Sequence, residues 1–316
     1  MRSPSAPFIV AGLQPAPALP QTPTQRVAIA AAFGLMVVIW GTTWLAIRIG
    51  LESYPPFFSV AVRFLIAGPA FLLIMRIRGD RIPWELRAQP LFLTLGVLSF
   101  VISFGVVYWG EQYLASGLTA VIFALMPLLT GIVAHYLLPQ EPLRRSTLLG
   151  LLVGLIGIVL LNLSDLGRFH PRAPQAALVV LVSPVVVAVA SVLAKKHLHE
   201  YPVLSFSALP MTYGGIAHAA LWFLFERDVP LSWSWPGVGT IAYLIVFGSM
   251  VTFASYYYLL ERVKVSRLNL VAYLTPIIAL AVGVLFGGEI LTPAMMLGAA
   301  LVLGGVAVAN RTSGGK

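Results

Sequence analysis

The chain has no cysteine and very little charge. Across 316 residues it holds only 11 Asp and Glu, and charged residues of both signs make up 10% of the chain. Without cysteine there is no disulfide framework, thiolate metal site or cysteine nucleophile. Soluble domains are about a quarter charged, so a water-soluble fold of this size could not cover its surface with so few charges. A Walker A glycine loop and a nucleophile elbow are also missing, which argues against ATP drive and serine hydrolysis. His135 and His218 stand alone within apolar runs, and His197 and His199 are too close in sequence to share a helix face. No His/Asp/Glu group has metal-ligand spacing, and no cofactor is expected. No basic stretch has the length and interleaved aromatics of a nucleic-acid groove. The net charge of +9 reads instead as the Lys/Arg bias of cytoplasmic loops.

What is present is grease: 59% of the residues are hydrophobic. The class is an all-α polytopic membrane protein, with the lipid bilayer as its surroundings. Residues 1–26 carry six prolines before position 25 and an apolar patch too short for a signal-peptide core, which predicts a disordered cytoplasmic tail. Beyond it, runs of about 20 apolar residues, the length a crossing helix needs, predict ten spans. They cover 27–50, 57–75, 90–110, 114–137, 146–163, 175–196, 204–225, 236–260, 266–286 and 292–310, separated by turn and charge signals such as YPP at 54–56 and PQEPLRR at 139–145. With the N-terminus inside, 15 of the 20 Lys and Arg fall on the cytoplasmic side; only Arg48, Arg168, Arg172 and Arg227 fall outside, and Arg63 lies within a span. This split predicts both termini, including the tail 311–316, in the cytoplasm of a cell whose inner membrane holds the protein.

The halves echo each other. Pro127 in LMPLL matches Pro276 in LTPII, and Glu141, Gly150, Gly157 and Asn162 match Glu289, Gly298, Gly305 and Asn310, at an offset of 149 slipping to 148. Five spans per half is an odd number, so the second half enters the membrane from the opposite side. The expected fold is two inverted five-helix repeats, 27–163 and 175–310, the design of secondary transporters with a substrate site at the midplane between them.

The stretches IWGTTWLAIRIGLESYPPFFSVAVRFLIAG, GLTAVIFALMPLLTGIVAHYLLPQEPL and LVAYLTPIIALAVGVLFGGEIL resemble the bacterial ten-helix drug/metabolite transporter superfamily, most of all its EamA-type exporters. The resemblance runs from about residue 33 to 310. It implies alternating-access movement of small metabolites or drugs, usually export, through a central cavity. Pro139-Gln140 departs from the small residues that usually precede the glutamate.

Several residues then become candidates for the substrate path. Arg63 sits about 9 Å deep in its span. A cation there faces a cavity, meets a partner or snorkels to the interface. Glu111, on the same side, is a partner for Arg63, a cavity residue, a proton carrier (protons being the candidate coupling ion) or a solvated helix end. Trp40 and Trp44 share a helix face, lining a cavity or packing in the core. Tyr108, Tyr257 and Tyr273 offer hydroxyls and rings to a substrate, or simply pack. Pro127 and Pro276 are mid-span hinges or static kinks. Glu141 and Glu289 are placed to complement the dipoles of the spans that follow them. Gly150, Gly154, Gly298, Gly304 and Gly305 form small-residue packing faces. The expected function is a secondary carrier for amino acids, aromatic or amphipathic compounds or drugs, acting as a monomer or homodimer and not as an enzyme. An intramembrane lipid-modifying enzyme, or a channel or scaffold, is the alternative.

Overall fold

In the computed structural model the described residues are 23–137, 145–164, 170–260, 262 and 271–311, and among them every regular element is helical. The helices are α1 (Pro23–Leu51), α2 (Pro56–Arg78), α3 (Gln89–Gly110), α4 (Ser116–Leu137), α5 (Arg145–Ser164), α6 (Ala173–His197), α7 (Ser205–Phe225), α8 (from Trp235 through Leu260), α9 (Val271–Gly287) and α10 (Pro293–Arg311). Seven of these, α1–α4 and α6–α8, are long and apolar enough to cross a membrane. The other three contribute shorter apolar stretches: Arg145–Leu160, Leu274–Gly287 and Pro293–Val308.

Local chemistry sets the ends. Pro55-Pro56 starts α2 where a missing N–H costs nothing, and Gly79, at φ 73°, ends it in the left-handed conformation. Ser234 caps α8 by accepting the N–H of Gly237 at 3.1 Å. Arg76 and Arg78 end α2, and Lys195, Lys196 and His197 end α6, where cations complement the helix dipole.

Two of the long helices are broken and two are bulged. α4 turns at Ala124-Leu125, just ahead of Pro127, whose ring cannot tolerate a helical carbonyl four residues back. α6 breaks at Leu181, three residues before Pro184. Pro276, by contrast, lies inside a continuous α9. In α3 the segment Gly96–Ile102 is π-helical, and in α8 the segment Val246–Val251 is too.

The largest helix contacts join α2 to α7 and α5 to α10; next come α1 with α8 and α9, α6 with α3 and α4, and α3 with α7. Exchanging each helix with the one five places on maps all of these pairs but the last onto one another; the counterpart of α3–α7, α2–α8, is the looser contact. Small residues permit the closest crossings. A methyl added at Gly215 would lie 2.8 Å from the Leu65 nitrogen of α2, and one at Gly157 would lie 2.6 Å from the Gly298 carbonyl of α10. Of the glycines seen in the sequence, Gly150, Gly154, Gly157, Gly298 and Gly305 therefore pack against each other within the chain, while Gly304 faces open space.

Candidate transport site at the helix seam

Arg63 lies two turns into α2 and is 3% exposed. Its side chain crosses to the π segment of α8. Nη2 donates to the Gly248 carbonyl at 2.9 Å, Nε to Ser249 Oγ at 2.8 Å, and Nη1 to Tyr108 Oη at 3.2 Å. A π turn widens the helix by one residue and leaves carbonyls off the regular ladder, free for another donor. The rings of Phe64 and Phe104 flank the guanidinium at 5.3 and 5.0 Å. Among the described residues no carboxylate pairs with it. The expected Arg63–Glu111 pair does not form, because Tyr108, Ser249 and Gly248 fill the donor fork and Glu111 sits one turn farther along the chain.

A counterpart lies on α7. His218, fully buried, donates from Nε2 to the carbonyl of Phe100 at 3.0 Å, inside the π segment of α3. Its ring meets Phe57 of α2 at 5.6 Å. From sequence this histidine was an isolated residue. A one-residue bulge leaves no periodic trace, so nothing local marks the carbonyl it reaches.

At one end of the bundle the turns 52–55, 111–115, 226–234 and 288–292 gather. Glu289, 4% exposed, does not serve the helix that follows it. Its carboxylate folds back over Gly283 and caps α4, accepting Ser116 N at 2.7 Å, Ser116 Oγ at 2.6 Å and Gly117 N at 3.2 Å. The same carboxylate pairs with Arg48 of α1 at 2.8 Å. Glu226, at the end of α7, likewise caps α2 through Phe57 N at 2.8 Å and Phe58 N at 3.4 Å. Burial raises the Glu226 carboxyl above its ordinary range, and those two N–H groups pull it partly back. Ser53 with Ser234 at 2.7 Å, and Ser232 N on the Ser53 carbonyl at 2.9 Å, close the same end.

Glu111 belongs to this end as well. It is 2% exposed, and among the described residues neither oxygen has a hydrogen-bond partner. Burial holds its carboxyl well above the ordinary carboxylate range; the Glu289 charge adds to this and Arg48 opposes it.

The tryptophans pack on other aromatics. Trp40 stands edge-on to Phe253 at 6.1 Å and near Tyr256 at 6.3 Å; Trp44 leans on Phe123 at 5.6 Å. Thr42, between them, bonds Tyr243 of α8 at 2.5 Å. A pocket of about 420 Å³ opens at the end described above, with Glu52, Tyr54, Trp109, Gln112, Tyr113 and Glu226 on its wall. None of Trp40, Trp44, Arg63, Tyr108 and Glu111 lines it, although Trp109 and Gln112 are neighbours of the last two. The side chains of Tyr257 and Tyr273, and all of Glu141, lie outside the described residues.

Three comparisons with known proteins bear on this architecture. The chain is 27% identical over 281 residues, 89% of its length and 92% of the relative's, to Protein PagO of Salmonella typhimurium. It is 30% identical over 258 residues, 81% of its length and 82% of the relative's, to the uncharacterized inner membrane transporter YedA of Escherichia coli K12. A solved crystal structure of a protein at 23% identity superposes with a TM-score of 0.65, covering 89% of this chain and 97% of that one, a likeness of fold. The model of the EamA-like transporter family matches residues 27–163 and again residues 174–311. A helical membrane chain whose two matched segments pack by exchange of equivalent helices is thus a membrane transporter, and it belongs to the EamA-like transporter family.

Proposed function

We propose that the chain is a secondary carrier of the bacterial inner membrane that exports small carboxylate-bearing or zwitterionic metabolites, including aromatic and amphipathic ones, by alternating access. In this reading ten spans form two inverted five-helix repeats, 27–163 and 175–310, with both termini cytoplasmic. The packing of α2 on α7 and α5 on α10, and the family match to both segments, support the repeats. The printed name of YedA, an inner membrane transporter, supports the location. The basic ends of α2 and α6 support the orientation.

One observation carries the substrate reading: among the described residues, a buried guanidinium at the seam between the halves is held by neutral groups alone. An intramembrane charge is costly unless something opposes it, and a substrate carboxylate arriving when the seam opens would do so. Trp40, Trp44, Tyr108, Glu111, Tyr257 and Tyr273 belong to the same proposed path, with Pro127 at the break in α4 and Pro276 within the continuous α9 as its proposed hinges.

Counterflow in proteoliposomes tests this. Vesicles loaded with unlabelled phenylalanine or leucine should accumulate the tritiated amino acid transiently and saturably. Arg63→Lys should abolish it, because a point ammonium cannot span three acceptors as the guanidinium fork does. Saturable counterflow of amines but not of amino acids or carboxylates would refute the substrate class. Unsaturable flux would indicate a pore.

A further inference from the structure

Two carboxyl groups meet where α1, α3, α4 and the turn before α10 converge, and they are treated very differently. Glu289 takes everything on offer: the Arg48 guanidinium, both N–H groups that open α4, and the Ser116 hydroxyl. Glu111, equally buried, receives no hydrogen bond from any described group. The groups around Glu111 are few. On its own helix Tyr108 faces it, with its hydroxyl already on Arg63. Arg48 approaches from α1, and Glu289 from the turn before α10. The start of α6 presents Ala176 and Val180 beside Gly110, both apolar. The first turn of α4 is committed to Glu289. One cation and one helix terminus therefore serve two carboxyls, and a neighbouring like charge disfavours ionisation of the unserved one. A bare carboxylate in such a place is far more costly than a neutral carboxyl.

The position also matters. Arg48 on α1, Glu289 before α10 and Ser116 on α4 make a clasp that ties first-half helices to the second half at this end of the bundle. We propose that Glu111 is the proton-carrying residue of the transporter: neutral while the closed clasp shuts water out, ionised when water reaches it from either side. The step is a single proton transfer between the Glu111 carboxyl and water, with no other bond made or broken. It rests on the carrier reading and gives that carrier its coupling ion. A proton taken up at this end permits it to close, and is released only after the opposite side opens, so proton entry is exchanged for substrate exit.

The proton site can be read without any substrate. Infrared spectra of the purified full-length protein in detergent, compared in H2O and D2O, report the C=O stretch of a neutral carboxyl. At pH 7 we expect such a band in the wild type and in Glu52→Gln, and its loss in Glu111→Gln. Should the Gln variant fail to fold, Glu111→Asp should shift the band and its titration midpoint. Absence of a neutral carboxyl at pH 7, or a band indifferent to both substitutions at Glu111, overturns the proposal. Coupling is read in the phenylalanine vesicles. Glu111→Gln should lose uptake driven by a pH gradient and any response of counterflow to pH; gradient-driven uptake retained in that variant also overturns the proposal. If the wild type shows no counterflow, the carrier reading fails instead, and the infrared result stands by itself.

Discussion

Substituting Glu289→Gln separates two accounts of why that residue is buried. The carboxylate accepts two backbone N–H groups and a hydroxyl from α4 and one guanidinium N–H from Arg48, at 2.6 to 3.2 Å. Hydrogen bonds to a charged group contribute about 1.5–3 kcal/mol each, and removing one partner of a buried charged network costs about 3–5 kcal/mol. The amide keeps one acceptor oxygen, but turns an NH2 toward donors it cannot satisfy. The expected loss is about 3 kcal/mol, near the lower end of that range. Arg48 is different, because its side chain is 31% exposed and water replaces much of what it gives. Arg48→Met should cost only about 1 kcal/mol, as partly exposed pairs do. At about 2 °C per kcal/mol for a chain of this size, thermal unfolding in detergent should show a drop of about 6 °C for Glu289→Gln against about 2 °C for Arg48→Met. If Arg48→Met proves as damaging as Glu289→Gln, the residue is there for the ion pair, and the account of it as the cap of α4 is wrong.

The pH dependence of stability follows from Glu111. A carboxyl whose folded value is raised favours the folded state below the unfolded value of about 4.3, and that contribution is lost as pH rises through the raised folded value. Glu111 should make wild-type stability fall across this window by at most about 1.4 kcal/mol per pH unit, and Glu111→Gln should show a shallower fall, the raised Glu226 carboxyl remaining, as thermal unfolding at a series of pH values will show. Packing of α5 on α10 gives a paired test in the same assay. A methyl at Gly305 would overlap the Gly150 carbonyl, whereas nothing lies within 4 Å of one at Gly304. Gly305→Ala should therefore cost about 1–3 kcal/mol through overpacking. Gly304→Ala should be neutral, or stabilising by up to about 1 kcal/mol through helix propensity.

Element ends were legible in the sequence because their causes are local. The expected runs 57–75, 90–110 and 204–225 fall within a few residues of Pro56–Arg78, Gln89–Gly110 and Ser205–Phe225. Prolines, glycines and basic clusters act on the residues beside them. The kink at Pro127 was legible for the same reason. The break before Pro184 has the same local cause. The partners of the charged residues were not legible. Arg63 stood out by its depth, yet two of its three acceptors are a hydroxyl and a carbonyl 185 and more residues away, exposed by a bulge that changes no hydrophobic period. Glu289 looked like a helix-start residue, and it is one, but for a helix 173 residues earlier. Pairings of this kind are decided by how the helices pack, and no local pattern encodes them.

The two seam contacts illustrate what a repeat conserves and what it leaves free. α2 reaches the π segment of α8, and α7 reaches the π segment of α3, so exchange of equivalent helices turns one contact into the other. The bulges recur at nearly the same offset as the prolines, 96–102 against 246–251. A widened turn within a span must give its carbonyl to some donor, since no solvent is at hand in hydrocarbon. The geometry thus repeats, but the donors do not. Arg63 brings a permanent charge, three bonded nitrogens and two flanking rings; His218 brings one bond to Phe100, and its Nδ1 has no partner among the described residues. Bonds from charged donors contribute about 1.5–3 kcal/mol against about 0.5–1.5 kcal/mol for uncharged ones. The seam is therefore alike in layout and unequal in its polar bonding.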